Sequence, residues 1–332
     1  MKLYRSLALA ALLHATAMHA QTNERLFAGV ATLLENHNGS AGLYVTALDA
    51  SNWKNVAWPN FSVRAAATIY AGGEPRILLG GPLGIVRPFT NPTGWQLLTD
   101  NNMGEVLDLK IDADNGQTLF AATTRGVYVS EDNGKTWQAR NHGLLNAFVS
   151  CLLLDPKQGH RIWAGTEAGL YESFNNGKEW TLVAFAGIPI RTILREPESW
   201  PGIYWVGTEY YGLFESFDGG EKFDQVEMGL DSVSVYALAG GGANAPIYAG
   251  LFQHGLYRAS SPGENWAPLE GSEQLGSVLS ILPLADHQTI FVGTHQNGVL
   301  RSTDYGHTWQ SFGLKGVPVR TLTLGEVDWY KP

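Results

Sequence analysis

An all-β fold is predicted for this chain: a seven-bladed β-propeller of four-stranded antiparallel blades, with the ring closed by the C-terminal strand. Three observations predict it. A short apolar run ending in two small residues recurs seven times, its last positions at 29, 80, 122, 165, 207, 250 and 293. After a first gap of 51 the spacing is 42 or 43, the length of a propeller blade rather than of a helical repeat. Second, another column, Val63, Val106, Val149, Ile190, Val235, Val278 and Val319, also recurs seven times but out of step with the first. Its last copy has no downstream partner, and the first unit has no upstream one. Pairing those two leftovers closes a ring and hides two edges. Third, charged residues are only 16% and Gly numbers 39, as many short strands and tight turns require.

Each unit then reads as four strands with period-two alternation. The innermost is the run beginning at the Val column, such as Val149-Ser150-Cys151-Leu152. The second is the run ending in small residues, such as Ile162-Trp163-Ala164-Gly165. The third follows a glycine, as in Gly169-Leu170-Tyr171-Glu172-Ser173, and the fourth starts near an aromatic, as in Trp180-Thr181-Leu182-Val183. The first two units keep that aromatic, Trp53 and Trp95, but their turns are degenerate. Unit one also carries an insertion over residues 31–41, and long loops of this kind are frequently functional. A single domain is expected over residues 24–325, with a tail over 326–332.

The turn before the fourth strand carries a motif. Ser130-Glu131-Asp132-Asn133-Gly134-Lys135-Thr136-Trp137 reads S-x-D-x-G-x-x-W, and Ser302-Thr303-Asp304-Tyr305-Gly306-His307-Thr308-Trp309 repeats it. Residues 173–180 carry Asn175 for the acid, residues 216–223 carry Phe223 for the Trp, and residues 260–266 are one residue short. Ser and Asp are short acceptors for turn N–H groups, Gly supplies positive φ, and the ring anchors the turn in the core. The motif resembles the Asp-box, or BNR repeat, of sialidases, sortilin-type receptors, xyloglucan-hydrolysing glycosidases and photosystem II assembly factor-like proteins. The resemblance implies a propeller. It does not imply one function, because the box is a structural turn and the functions of these groups diverge.

Composition excludes several classes. Net charge is −9, and about −11 without the first twenty residues, which hold Lys2 and Arg5 and no acid. With no basic stripe, nucleic-acid binding is not expected. Residues 1–20 read as a secretory signal, with a positive start and an apolar run over 7–13 too short to span a membrane. Cleavage near Ala17 or Ala20 would leave an exported protein, periplasmic or extracellular, and no later segment is apolar enough for a membrane helix. Cys151 is the only cysteine, so no intramolecular disulfide forms; it sits in an apolar run as a small core residue. Asn38 and Asn60 head glycosylation sequons in form. No cofactor is implied, and His142, His254 and His295 are too scattered to predict a metal site.

The candidate site lies on the face opposite the Asp-boxes, where the turns between second and third strands collect; ligands bind that face in the sialidases this sequence resembles. Glu209, Tyr210, Tyr211, Phe252, His254 and His295 lie in those turns and suit a sugar-stacking or peptide-binding patch; solvated turns with isolated aromatics are the alternative. One column is sharper. The residues following the Val column are Arg64, Leu107, Ser150, Arg191, Tyr236, Leu279 and Arg320. Under ring closure Arg64 and Arg320 occupy neighbouring blades near the axial mouth. An arginine cluster in an acidic chain suits carboxylate or phosphate; the alternative is arginines tucked between blades on main-chain carbonyls. The function expected is a binding or assembly module for a protein partner or glycan. The rival is a glycosidase or lyase acting on an anionic sugar, with Glu167 and Glu209 as paired carboxylates or His254, His295 or Tyr236 as base. A retaining sialidase would need an arginine triad, a Tyr nucleophile with a Glu partner, and an acid; Glu209 and Tyr210 are adjacent, a poor geometry for such a pair, and the Arg-Ile-Pro signature is missing.

Overall fold

The second-strand glycines explain why two columns of small and β-branched residues travel together. In a computed structural model of the chain, a Cβ added at Gly29, Gly80, Gly165, Gly207, Gly250 or Gly293 would lie 2.5–2.9 Å from the side chain of Val63, Val106, Ile190, Val235, Val278 or Val319 respectively. Each glycine is thus the socket into which the next blade's inner strand plants its first branched residue. Only a residue without Cβ allows that approach. Blade three uses Ala122 against Val149 in the same cluster.

The structure describes residues 24–31, 41–56, 61–71, 74–88, 94–99, 102–229, 232–240 and 245–326. They form seven four-stranded antiparallel sheets and one short 3-10 turn, Ser272–Leu275. In blade order the inner strands are Val319–Glu326, Ala65–Ala71, Val106–Ile111, Val149–Leu154, Ile190–Arg195, Val235–Gly240 and Val278–Pro283. Blade one is composite. Its inner strand is the last of the chain and pairs with Glu24–Val30, the first, from Glu24↔Glu326 to Val30↔Val319. Val319 at the same time fills the socket of blade seven at Gly293. The predicted closure is therefore observed, through hydrogen bonds on one side and packing on the other. The signal segment, the tip of the insertion at residues 32–40, Asn38, Asn60 and residues 327–332 lie outside the described residues.

Second strands such as Ile162–Thr166 and Tyr204–Thr208 are buried at every position. A blade is covered on both faces by its neighbours, so these strands read as continuous apolar runs rather than alternating ones. The core is correspondingly a ring of inter-blade clusters. Trp163 and Trp205 are 1% and 0% exposed, each packed against the following blade.

The Asp-box turns show the predicted wiring. The Ser130 hydroxyl donates to Asp132 Oδ1 at 2.8 Å and accepts from the Gly134 N–H at 2.8 Å. Asp132 also accepts from the Thr136 N–H at 2.8 Å and hydroxyl at 2.7 Å. Ser302, Asp304, Gly306 and Thr308 repeat the pattern. The substituted copies keep it too: Asn175 accepts from the Glu179 N–H at 2.9 Å, and Asp218 from the Lys222 N–H at 3.1 Å. Bonds from the backbone and hydroxyl of Thr136, and from the hydroxyl and backbone of Thr308, hold Asp132 and Asp304 at about 2, below the ordinary 3.8. A depressed folded value means stability that is present above about pH 3.8 and lost as pH falls towards 2. The double variant Asp132→Asn/Asp304→Asn is expected to show a shallower fall of the unfolding midpoint across that window. Thermal melts from pH 5 to pH 2 check this; identical slopes would contradict it.

Candidate functional site

A propeller's inner strands run side by side around the axis, so a single sequence position repeated in each blade becomes a ring of side chains. Here the residues following the Val column, Arg64, Leu107, Ser150, Arg191, Tyr236, Leu279 and Arg320, all line one axial cavity of about 470 Å³. The position predicted from the repeat is thus the lining of the mouth. Two of its polar members, Arg191 and Tyr236, bond to second-to-third turns, which fixes the mouth on the face opposite the Asp-boxes. Arg191 donates to Glu167 Oε1 at 2.6 Å, in the turn of blade four, and to Glu209 Oε2, in the turn of blade five.

The three arginines are not equivalent. The Arg64 Nε donates to Glu105 Oε1 at 2.7 Å. Arg191 is shared between two carboxylates; burial works against its cation, but the bonds to Glu167 and Glu209 outweigh that and raise its pKa. Arg320 makes no such bond, although the Glu105 carboxylate lies close enough to favour its cation. Among the described residues no carboxylate is paired with it, and its buried Nε–H has no hydrogen-bond partner. Burial, with the Arg64 cation beside it, lowers the Arg320 guanidinium to about 10. It therefore still carries its charge at neutral pH, in a site that penalises that charge. Neither of the two arrangements predicted from sequence describes the cluster completely. Arg64 and Arg191 are bound to carboxylates rather than to main-chain carbonyls, and Arg320 is paired with no carboxylate among the described residues.

Tyr236 stands beside this group. Its hydroxyl donates to Glu209 Oε1 at 3.4 Å, and its ring meets Phe252 edge-on with centroids 5.9 Å apart. Burial and the nearby Glu209 carboxylate raise its phenol. The Tyr–Glu pair thus forms between blades, Tyr236 with Glu209, and not between the adjacent Glu209 and Tyr210.

The other predicted residues divide between a groove and a rim. Phe252 and His295 line a groove of about 390 Å³ between blades six and seven, together with Gln253, Leu275, Gln296 and Asn297. Burial and the Arg320 charge lower the His295 imidazole. Tyr210 and Tyr211 are 62% and 53% exposed, and His254 is exposed; they stand on the rim and do not enter the arginine cluster. Blades five to seven carry one more residue in these turns than blades three and four, as in Thr208 to Gly212 against Thr166 to Gly169. That extra residue raises the rim on one side.

Glu105 is the mouth's ion-pair residue that sequence reading missed. It precedes the inner strand of blade three, in an inter-blade link that no repeat column covers. The available signal was its place one residue before Val106, beside the arginine column. Cys151, in contrast, is a core residue as read: it is buried, and burial pushes its thiol up to about 12. Among the described residues no three of His, Cys, Asp and Glu converge in a metal-holding set, and no helix is long and apolar enough to cross a membrane.

Comparison with known proteins agrees with the turn chemistry. The BNR/Asp-box repeat matches residues 128–139, so the chain carries that repeat. No curated protein sequence matches the chain at a significant level. Among solved structures, the GH74 enzyme of Niastella koreensis is 19% identical, with a TM-score of 0.61 over 75% of this chain and 45% of its own. The extracellular domain of a putative hybrid two-component system from B. thetaiotaomicron is 17% identical, with a TM-score of 0.65 over 83% of this chain and 38% of its own. YCF48 bound to D1 peptide is 16% identical, with a TM-score of 0.60 over 80% of this chain and 86% of its own. The chain spans less than half the length of the first two. Likeness at these identities is likeness of fold.

Proposed function

We propose that this protein is an exported propeller, a single domain over residues 24–325 behind a signal over residues 1–20, that binds an acidic ligand at the axial mouth. The ligand is a segment of a partner protein or a glycan carrying carboxylate. The observation that carries this reading is the unpaired Arg320. A half-buried guanidinium without a carboxylate is costly, and an incoming anion relieves that cost with charge-assisted hydrogen bonds. Glu105, Glu167 and Glu209 serve by occupying Arg64 and Arg191, so that one cation, rather than three, is presented. One neighbour supports a role in binding, and the neighbour that is an enzyme matches over a smaller share of its own chain. A structure of YCF48 holds a D1 peptide, and the match there extends over 86% of that chain. In the GH74 enzyme the match extends over 45%.

A second reading, hydrolysis or elimination on an anionic sugar, has one observation in its favour, the Tyr236–Glu209 pair beside Arg320. Against it, the Tyr236 phenol is raised rather than activated. Glu167 and Glu209 are both occupied as acceptors of Arg191, so neither is a free general acid. Binding without turnover is the expected behaviour.

The test is an array of uronate, sialate and sulfated glycans together with acidic peptides. The protein is expected to retain acidic members and to release them as salt rises. The variant Arg320→Gln should weaken that binding more than tenfold. Acidic members retained by Arg320→Gln as strongly as by the wild type would overturn the reading.

A further inference from the structure

The opposite face carries a feature that the axial mouth does not use. Phe174, Trp200 and Phe217 are 64%, 76% and 47% exposed. Phe174 and Phe217 occupy the second position of the Asp-box turns of blades four and five, and Trp200 lies in the first-to-second turn of blade five. The turns that carry them are linked through Gly219. Arg161 sits under the Phe174 ring, 5.4 Å from its centroid, and donates to the Gly219 carbonyl at 2.7 Å. The Gly219 N–H in turn donates to the Gly202 carbonyl at 3.1 Å, and a Cβ there would touch Pro201, next to Trp200, at 3.4 Å. The Phe217 ring leans towards Gly263 of blade six.

Trp200 is held out by a braced loop. Buried Arg195 donates to the carbonyls of Glu196, Pro197 and Ser199 at 2.9, 3.1 and 2.9 Å. The Ser199 hydroxyl ties the two ends, donating to the Glu196 carbonyl at 3.0 Å and accepting from the Ile203 N–H at 2.8 Å. A rigid exposed tryptophan loses little freedom on binding, which favours it as a contact residue. The fixed charges beneath and beside the patch cancel in pairs. Arg161 is bonded to Glu172, the Arg195 Nε is 3.4 Å from Asp155, and Lys157 is 2.9 Å from Glu198. Asp218 is spent on its own turn. The patch therefore offers aromatic faces and hydrogen-bonding groups without a free buried charge.

We propose that Phe174, Trp200 and Phe217 form a second binding site, on the Asp-box face, for a neutral glycan chain. The C–H face of a pyranose stacks against the negative face of an aromatic ring. The exposed Lys157–Glu198 pair stands ready for its hydroxyls. A lipid surface fits less well, because the chain's net charge of −9 is repelled by anionic headgroups. The site is independent of Arg320 and lies on the other face of the ring.

Affinity electrophoresis in gels containing hydroxyethylcellulose, mixed-linkage β-glucan, galactomannan or amylopectin tests the proposal. The wild type is expected to be retarded by at least one of them, and Trp200→Ala and Phe174→Ala to weaken that retardation at least tenfold. An unchanged unfolding midpoint verifies each fold; should Trp200→Ala disturb its loop, Phe174→Ala carries the test alone. Arg320→Gln should leave the retardation unchanged, so failure here and failure at the mouth are told apart. The proposal is overturned if no polymer retards the wild type or if both aromatic variants are retarded like it. Co-sedimentation with phosphatidylcholine vesicles, abolished by Trp200→Ala, would instead make the patch a lipid contact and would also overturn it.

Discussion

Deleting residues 319–332 is expected to leave no cooperatively folding protein. The inner strand Val319–Glu326 supplies both neighbours of the seam. Its hydrogen bonds complete blade one through seven paired positions with Glu24–Val30. Its side chains, Val319 and Leu322, are buried in one cluster with Leu26, Ala28 and Val30 of blade one and Phe291 and Val299 of blade seven. Without it, blade one keeps an exposed apolar edge, and the socket at Gly293 is empty. Two buried branched side chains are worth about 3–6 kcal/mol by area alone, before the lost ladder is counted. That alone is a large share of the roughly 5–15 kcal/mol by which native domains are stable. The check is expression, size-exclusion chromatography and a urea melt of the truncated chain. A soluble monomer with a cooperative transition would contradict the closure described above.

The second large effect is expected at Asp155. This carboxylate is 2% exposed and holds the junction of blades four and five together. The Tyr204 hydroxyl donates to its Oδ2 at 2.6 Å, and the N–H groups of Lys157 and Gln158 donate to its Oδ1 at 2.8 and 3.2 Å. The guanidinium groups of Arg195 and Arg161 lie 3.4 and 3.9 Å away. Asp155→Ala removes the charge that balances these two cations and strips a partner from the Tyr204 hydroxyl. Breaking a buried ion pair from one side costs about 3–5 kcal/mol, and the abandoned donors add to it. Asp155→Asn keeps an acceptor for Tyr204 but not the charge, so an intermediate loss is expected. Urea denaturation of the three proteins measures the difference. A loss below about 1 kcal/mol for Asp155→Ala would show that solvent or Glu172 compensates, contrary to the expected effect.

These two cases mark what was legible in the sequence. The ring was legible because blade packing leaves a repeated trace: a glycine socket in one strand and a branched residue 25 to 34 positions later. The leftover Val319 revealed the closure for the same reason. The mouth was legible as a ring position, since Arg64, Arg191 and Arg320 share one place in the repeat. Their pairing was not. Glu105 lies in a link between blades, where no column imposes a spacing, and Glu167 and Glu209 reach Arg191 from two different turns. The Asp155 junction was equally hidden, because Asp155, Arg161, Arg195 and Tyr204 meet only once two blades stack. Trp200 was passed over because its turn is unique to blade five. Periodicity reports what every blade does, whereas a site is built from what one blade does differently.

With Arg64 and Arg191 held by carboxylates, the proposed ligand meets at the axial mouth a cation, Arg320, that no carboxylate among the described residues pairs. The most direct measurement is the ratio of dissociation constants, Arg320→Gln over wild type, for the tightest acidic member of the glycan and peptide array, taken at low and at high salt. The prediction is a ratio above ten at low salt that shrinks as salt rises. A ratio near one at both salt concentrations would contradict the account.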